Sequence, residues 1–232
     1  MEVEAQLPSG DWLWPAIWML PVNETYGAWP LSGEIDLAES RGNNYTLAMG
    51  GNNIVSSALH WGPDPANDAW WRTNRRQQAL HTTYASGFHT YGLVWTPDYL
   101  YTYIDTMLLQ VLYTKFTKPF WKRGSFPLTM PNGTAYTDPW SSTGLSSTPF
   151  DHDFYLILNV AVGGQNGWFQ DDKSDKPWVD KSPNAKVTFW NDRNAWYPTW
   201  QADEKKDAST VSYGEMRVKS VKMWQQKGYK GC

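Results

Sequence analysis

Only one cysteine occurs in the 232 residues, and it is the last, Cys232, so no internal disulfide can form. Neither sign of charge dominates: 20 basic residues face 23 acidic ones for a net charge of -3, and no block of Lys or Arg is present to neutralise a phosphate backbone. Nucleic acid is therefore not an expected partner. Charged residues make up only 19% of the chain against 41% hydrophobic, a balance that excludes disorder because there is enough apolar surface to offset the cost of ordering. Long apolar runs are also missing. The longest, around Trp12 to Leu20, is broken by Pro15 and falls far short of the roughly 20 residues that cross a bilayer. No HExxH, CxxC, P-loop or GxGxxG element occurs, so no metal and no cofactor is expected. The opening MEVEAQLPSG has no charged segment followed by an apolar one, hence no visible signal peptide.

What the chain has in excess is aromatic: 16 Trp, 13 Tyr and 8 Phe. Large rings with a polar edge suit a surface that is apolar yet wet, and the C–H face of a pyranose is a natural partner for it. A Trp-rich β core is the competing explanation. Three sequons, at Asn23, Asn44 and Asn132, lie in polar, turn-like contexts and point to a secreted glycoprotein, extracellular or in the cell wall. Because Met1 to Leu7 already alternates like a strand, the reading is of a chain whose front is missing, with its first strand left short of pairing partners and its sandwich less stable for it.

Short β-branched and aromatic runs separated by Gly, Pro, Asn and Asp predict strands over 2–7, 16–20, 34–40, 55–61, 88–95, 99–104, 108–113, 154–162 and 214–224, with one short helix over 190–200. Such spacing argues for an antiparallel sandwich rather than βαβ units. The stretch 115–150, rich in Pro, Gly, Ser and Thr, reads as a surface excursion within one domain spanning 1–232. An acidic loop from Asp171 to Asp175 lacks the glycine and terminal Glu of a calcium loop and reads as solvated.

The chemical centre is Gly33-Glu34-Ile35-Asp36-Leu37-Ala38-Glu39-Ser40, three carboxylates within six residues on an expected strand. Alternation puts Glu34 and Asp36 on one face, but Glu39, five positions from Glu34, falls on the other. A one-residue bulge at Leu37-Ala38 restores it to the Glu34 face, and bulges concentrate beside active sites. An edge strand protected by charge is the alternative, but such an edge usually mixes in Lys, and this segment has none. Paired carboxylates are the machinery of glycoside hydrolysis, and a separation of about 5 to 5.5 Å means retention. Four strand steps place the two Glu Cα atoms roughly 13 Å apart, a gap that side chains leaning together across a bent strand largely close. Glu34 is then the nucleophile and Glu39 the acid and later the base, kept protonated by the neighbouring anions.

The segments WLWPAIWMLP (12–21), YGAWPLSGEIDLAESRGN (26–43), LHWGP (59–63), FYLILNVAVGG (154–164) and VKMWQQ (221–226) together resemble glycoside hydrolase family 16, most closely its laminarinase-type endo-1,3-β-glucanases and the related β-1,3-glucan recognition proteins. The resemblance implies an all-β jelly-roll sandwich of two antiparallel sheets with a concave substrate cleft, here lacking N-terminal strands. It matches Glu34 to the nucleophile, Asp36 to the assisting acid and Glu39 to the acid/base. The two residues Leu37-Ala38 match the laminarinase-like branch, which implies β-1,3 linkages, with mixed β-1,3/1,4-glucan as an alternative. A non-cleaving glucan-binding protein and a transglycosylase remain open alternatives to a retaining endo-hydrolase.

Trp29 matches an aromatic lining the cleft in that family. Trp14 and Trp18 share a strand face and divide between sugar contact and core. His60 is read as hydrogen-bonding sugar or nucleophile, or as a sheet histidine. Trp168, after two glycines, is read as a stacking platform, and Asn159 as a polar group of the cleft or a structural one. The partner expected is a β-glucan polysaccharide, bound by a monomer.

Overall fold

The computed structural model describes residues 1–201 and 214–228; Cys232 lies outside them. Ten strands form in chain order: β1 (Glu2–Gln6), β2 (Leu13–Pro21), β3 (Glu34–Ser40), β4 (Ile54–His60), β5 (Arg75–Gln78), β6 (His89–Trp95), β7 (Tyr99–Ile104), β8 (Thr106–Lys115), β9 (Phe154–Val162) and β10 (Arg217–Lys222). One sheet has the order β10-β1-β6-β7-β8 and the other β5-β4-β3-β2-β9. Neighbours are antiparallel throughout. The architecture is an antiparallel jelly-roll sandwich, as the resemblance implied.

Alternation explains why the sheets stack. In β1, Val3 and Ala5 are buried while Glu2, Glu4 and Gln6 face outward. Ile17 and Met19 of β2, Ile35 of β3 and Leu59 of β4 enter the same core from the second sheet, meeting Tyr91, Leu93, Leu100 and Leu112 of the first. Burying each of these large side chains is worth about 1.5–3 kcal/mol relative to leaving it in water. β1 has antiparallel neighbours on both sides, β10 and β6, so the expectation that it lacks pairing partners is overturned. Its partner β10 comes from the far end of the chain, beyond the reach of local pattern.

Three further expectations need correction. β5 escaped the strand pattern because Arg75-Arg76-Gln77-Gln78 has no apolar residue to alternate; at a sheet edge, paired only with β4, it needs none. The stretch 115–150 is not a mere excursion, for Phe120, Trp140 and Phe150 are buried in the main core and close it, with Phe120 and Phe150 meeting edge to face at 4.9 Å. The single helix expected over 190–200 is instead divided into a helix over Ala185–Asn191, a second over Arg193–Trp196 and a 3-10 turn over Tyr197–Trp200. Asp192 interrupts the first two, and Pro198 has no N–H to continue an α-helix.

A second core gathers Trp12, Leu47, Phe169, Trp178, Ala185 and Trp196. Trp12 meets Phe169 and Trp178 edge to face at 5.4 and 5.2 Å. Much of the tryptophan surplus is thus structural: Trp12, Trp61, Trp140, Trp178 and Trp196 are buried. Of the acidic loop, Asp171 is tied in by the buried Lys176 ammonium at 2.6 Å, which also pairs with Asp180, whereas Asp172 and Asp175 are exposed to solvent.

Candidate active site

β3 is central in its sheet, with β2 on one side and β4 on the other. Its entry is set by Gly33, whose φ of +84° suits glycine and whose missing Cβ would stand 3.0 Å from the Phe150 ring. Against β4, Asp36 pairs with Ala58 and Glu39 with Ser56, so three steps on β3 answer two on its neighbour. Against β2, Ile17 pairs with Ala38 and Trp18 with Asp36, which leaves Leu37 as the extra residue. The bulge lies where the odd carboxylate spacing requires one. Its effect is that Ile35, Leu37 and Ala38 all enter the core, while Glu34, Asp36 and Glu39 share the opposite face.

Each carboxylate has a partner from a neighbouring segment. Trp29 Nε1 donates to Glu34 Oε2 at 2.7 Å, and Trp14 Nε1 donates to Glu39 Oε1 at 2.9 Å. Trp18, opposite Asp36, donates its indole N–H to Asn159 Oδ1 on β9 at 2.7 Å. His60, opposite Glu34, has its Nε2 3.2 Å from Asp36 Oδ2 and 3.7 Å from Glu34 Oε1. Its Nδ1 lies 2.5 Å from Asp68 Oδ2. Asp68 is in turn fixed by the backbone N–H groups of Trp61 and Trp70, each 3.2 Å from Oδ1. Asp68 was not singled out in the sequence; it is the second of two Asp residues, after Asp64, that follow His60, and only the path of the 60–70 turn brings it back.

Trp168 is placed differently from a free platform. Trp14 stacks on it at 4.6 Å with an interplanar angle of 10°, and the Arg41 guanidinium lies 3.9 Å from its ring centroid. Arg41 also donates to the Trp168 carbonyl from Nε and Nη2, at 3.1 and 2.7 Å. Trp168 therefore backs Trp14, which in turn contacts Glu39. The floor beside the carboxylates is small: Ala16 and Ser56 flank Glu39, and Ala58 flanks Asp36.

Both glutamates hold their protons unusually tightly. Burial, then the charge of Asp36, pushes both carboxyl groups up to about 8, against the opposing pull of His60 and of the indole donors. Burial works against a charge on His60, but hydrogen bonds to Asp36 and Asp68 and the charges of Asp36 and Glu34 outweigh it and hold its pKa up at about 11. The resulting imidazolium lies 3.7 Å from Glu34 and makes no ion pair with Glu39 among the described residues, so the two raised carboxyl groups differ in geometry: an anion on Glu34 has a cation beside it. Ligand atoms of Glu34, Asp36 and His60 lie within 4.8 Å of one another, close enough to hold a cation. With both ring nitrogens directed at carboxylates, however, His60 has no lone pair to give.

A bulged central strand with three carboxylates on the face turned away from the core, framed by indole donors, is the setting in which comparison with known proteins is informative. Residues 1–148 match the sequence pattern described as glycosyl hydrolases family 16. The chain belongs to that family. Among family 16's relatives in sequence, a β-1,3-glucan-binding protein of Penaeus monodon is 42% identical over 225 residues, 97% of this chain and 58% of its own length. A glucan endo-1,3-β-glucosidase of Cryptopygus antarcticus is 37% identical over 164 residues, 70% of this chain and 50% of its own. The laminarinase of Rhodothermus marinus, a solved structure, is 33% identical, with 72% of this chain and 55% of that chain covered and a TM-score of 0.47. This family 16 chain spans about half the length of the curated relatives it matches.

Proposed function

We propose that this chain is the catalytic unit of a retaining endo-1,3-β-glucanase. The observation that carries this reading is the bulge in β3, which puts a carboxyl beside the His60 cation and a second, proton-holding carboxyl on one face of one strand, with Asp36 between them. Glu34 attacks the anomeric carbon as its C–O bond to the leaving sugar breaks, and Glu39 passes its proton to the departing oxygen. That step leaves a glycosyl ester on Glu34 and an ionised Glu39. Glu39 then takes a proton from water, whose oxygen displaces Glu34 and regenerates both groups. Trp29, Trp14 and Trp18 frame the sugars, and Trp168 acts by backing Trp14. No helix of the described residues is long and apolar enough to cross a membrane, and Asn23, Asn44 and Asn132 are exposed where glycans would be carried; both fit an extracellular enzyme.

A second reading, glucan binding without cleavage, draws on the printed name of the 42% identical relative. Retention of Glu34, Asp36 and Glu39 in this chain favours cleavage. Incubation with laminarin should yield short oligosaccharides whose new reducing ends appear first as the β anomer by NMR. Intact laminarin bound by the protein would establish the binding reading instead, and the α anomer first would refute retention.

Asp36 tunes the pair. Its charge raises Glu39, so Asp36→Asn should lower the Glu39 pKa and move the alkaline limb of kcat/KM to lower pH. Loss of the Asp36 contact also weakens the hold on His60, which stays charged through Asp68 and Glu34. An alkaline limb that stayed in place or rose would show that Asp36 does not set the proton on Glu39.

A further inference from the structure

Away from the cleft, the edges of the two sheets approach each other where β5 lies beside β8, and a cavity of about 320 Å³ opens there. Its lining includes four cations, Arg72, Arg75, Lys118 and Arg123, and no Asp or Glu. None of the four forms an ion pair among the described residues. Four uncompensated cations around one hollow repel each other, and ordinary folding would place a carboxylate among them.

The donors are held rather than loose. The Arg72 guanidinium lies 4.3 Å from the Trp71 ring centroid, and its buried Nε has no acceptor. Arg123 donates Nε to the Lys118 carbonyl at 2.6 Å and Nη2 to the Lys115 carbonyl, which orients its fork. Trp61, fully buried in the wall, also has an indole N–H without an acceptor. Buried donors in folded proteins almost always find a partner, so two of them beside four cations without a carboxylate counter-ion mark a place prepared for acceptor atoms.

We propose that this cavity binds a tetrahedral oxyanion, a sulfate or phosphate group, free or as an ester on a polysaccharide, gripped between Arg72 and Arg123. Guanidinium forks match such oxygens in pairs. The lining comes from three segments, the 70–75 turn and strand, β8 with the loop after it, and the helix Phe120–Gly124, an enclosure on several sides that suits a tetrahedral group better than a planar carboxylate.

The test is a titration of the whole chain with inorganic phosphate and sulfate at constant ionic strength, NaCl making up the balance, read by calorimetry and by the unfolding midpoint. Saturable binding at millimolar concentration or tighter is expected, with at least a tenfold loss of affinity in Arg72→Gln/Arg75→Gln. Should that pair fail to fold, Lys118→Gln, on an exposed loop, should still weaken binding several-fold. Comparing dextran sulfate with plain dextran distinguishes the sources: binding of the sulfated polymer that inorganic sulfate displaces indicates an ester, whereas binding of the inorganic ions alone indicates the free anion. The proposal is overturned by a response no greater than that to NaCl, by equal binding of acetate, or by unchanged affinity in the variants. Laminarin cleavage should persist in Arg72→Gln/Arg75→Gln, which separates this site from the cleft.

Discussion

Glu34→Gln is expected to abolish laminarin hydrolysis while leaving glucan binding within a few-fold of the parent. Gln keeps the shape and still accepts the Trp29 N–H, but it cannot form the glycosyl ester, so the first displacement has no nucleophile. Losses of about 10⁴-fold or more in kcat follow removal of a covalent nucleophile. Glu34→Ala adds a test of role rather than mere importance. It opens space on the nucleophile's side of the sugar, so azide should restore cleavage of an activated aryl glycoside and yield the inverted glycosyl azide. Near-normal turnover by a folded Glu34→Gln, or azide product of retained configuration from Glu34→Ala, would remove Glu34 from this role.

Glu39→Gln should cost about 10²–10⁴-fold with natural glucan, the usual worth of a positioned acid. The loss should be much smaller with a dinitrophenyl leaving group, which departs without a proton. A uniform loss across leaving groups would argue against proton donation. A separate readout comes from stability. Because the Glu39 carboxyl is raised to about 8 in the folded protein, the fold holds a proton that the unfolded chain releases in the ordinary carboxyl range. Stability therefore falls as pH rises from that range through about 8, and Gln, which never ionises, escapes this fall. Glu39→Gln should raise the unfolding midpoint at pH 8–9 and change it little at pH 4; an unchanged midpoint at pH 8–9 would show that the folded protein does not hold this proton.

The carboxylate strand was legible in the sequence because its geometry is local: an odd spacing between Asp36 and Glu39 has few repairs, and a bulge is the cheapest. Glu34–Ser40 and Phe154–Val162 were readable to the residue for a similar reason, being dense in residues that fill a pleat. β5 was not, because its stability comes from pairing with β4 and not from burial. Nor could the pattern show that β10 flanks β1, since more than 200 residues separate them. In the site, Trp14 and Trp18 were ambiguous between cleft and core until their N–H partners were known. His60 was readable as a sheet residue, whereas Asp68 depended on the path of a turn. The pile of Arg41 on Trp168 on Trp14 joins three segments distant in sequence, and no spacing rule encodes it.

Three indoles, Trp14, Trp18 and Trp29, each donate a hydrogen bond to a fixed oxygen within the protein. If the proposed function holds, their rings have few rotamers left to surrender when a glucan arrives. A flexible polymer entering such a trough brings most of the disorder that must be lost, and the protein little. Longer chains then gain affinity mainly through each added sugar's own contacts, while stiff or pre-curved chains enjoy an advantage that flexible ones of equal length do not. On the proposed reading, selectivity resides in the shape a polysaccharide already has in solution, with the tryptophans acting as a mould that does not adjust to its guest.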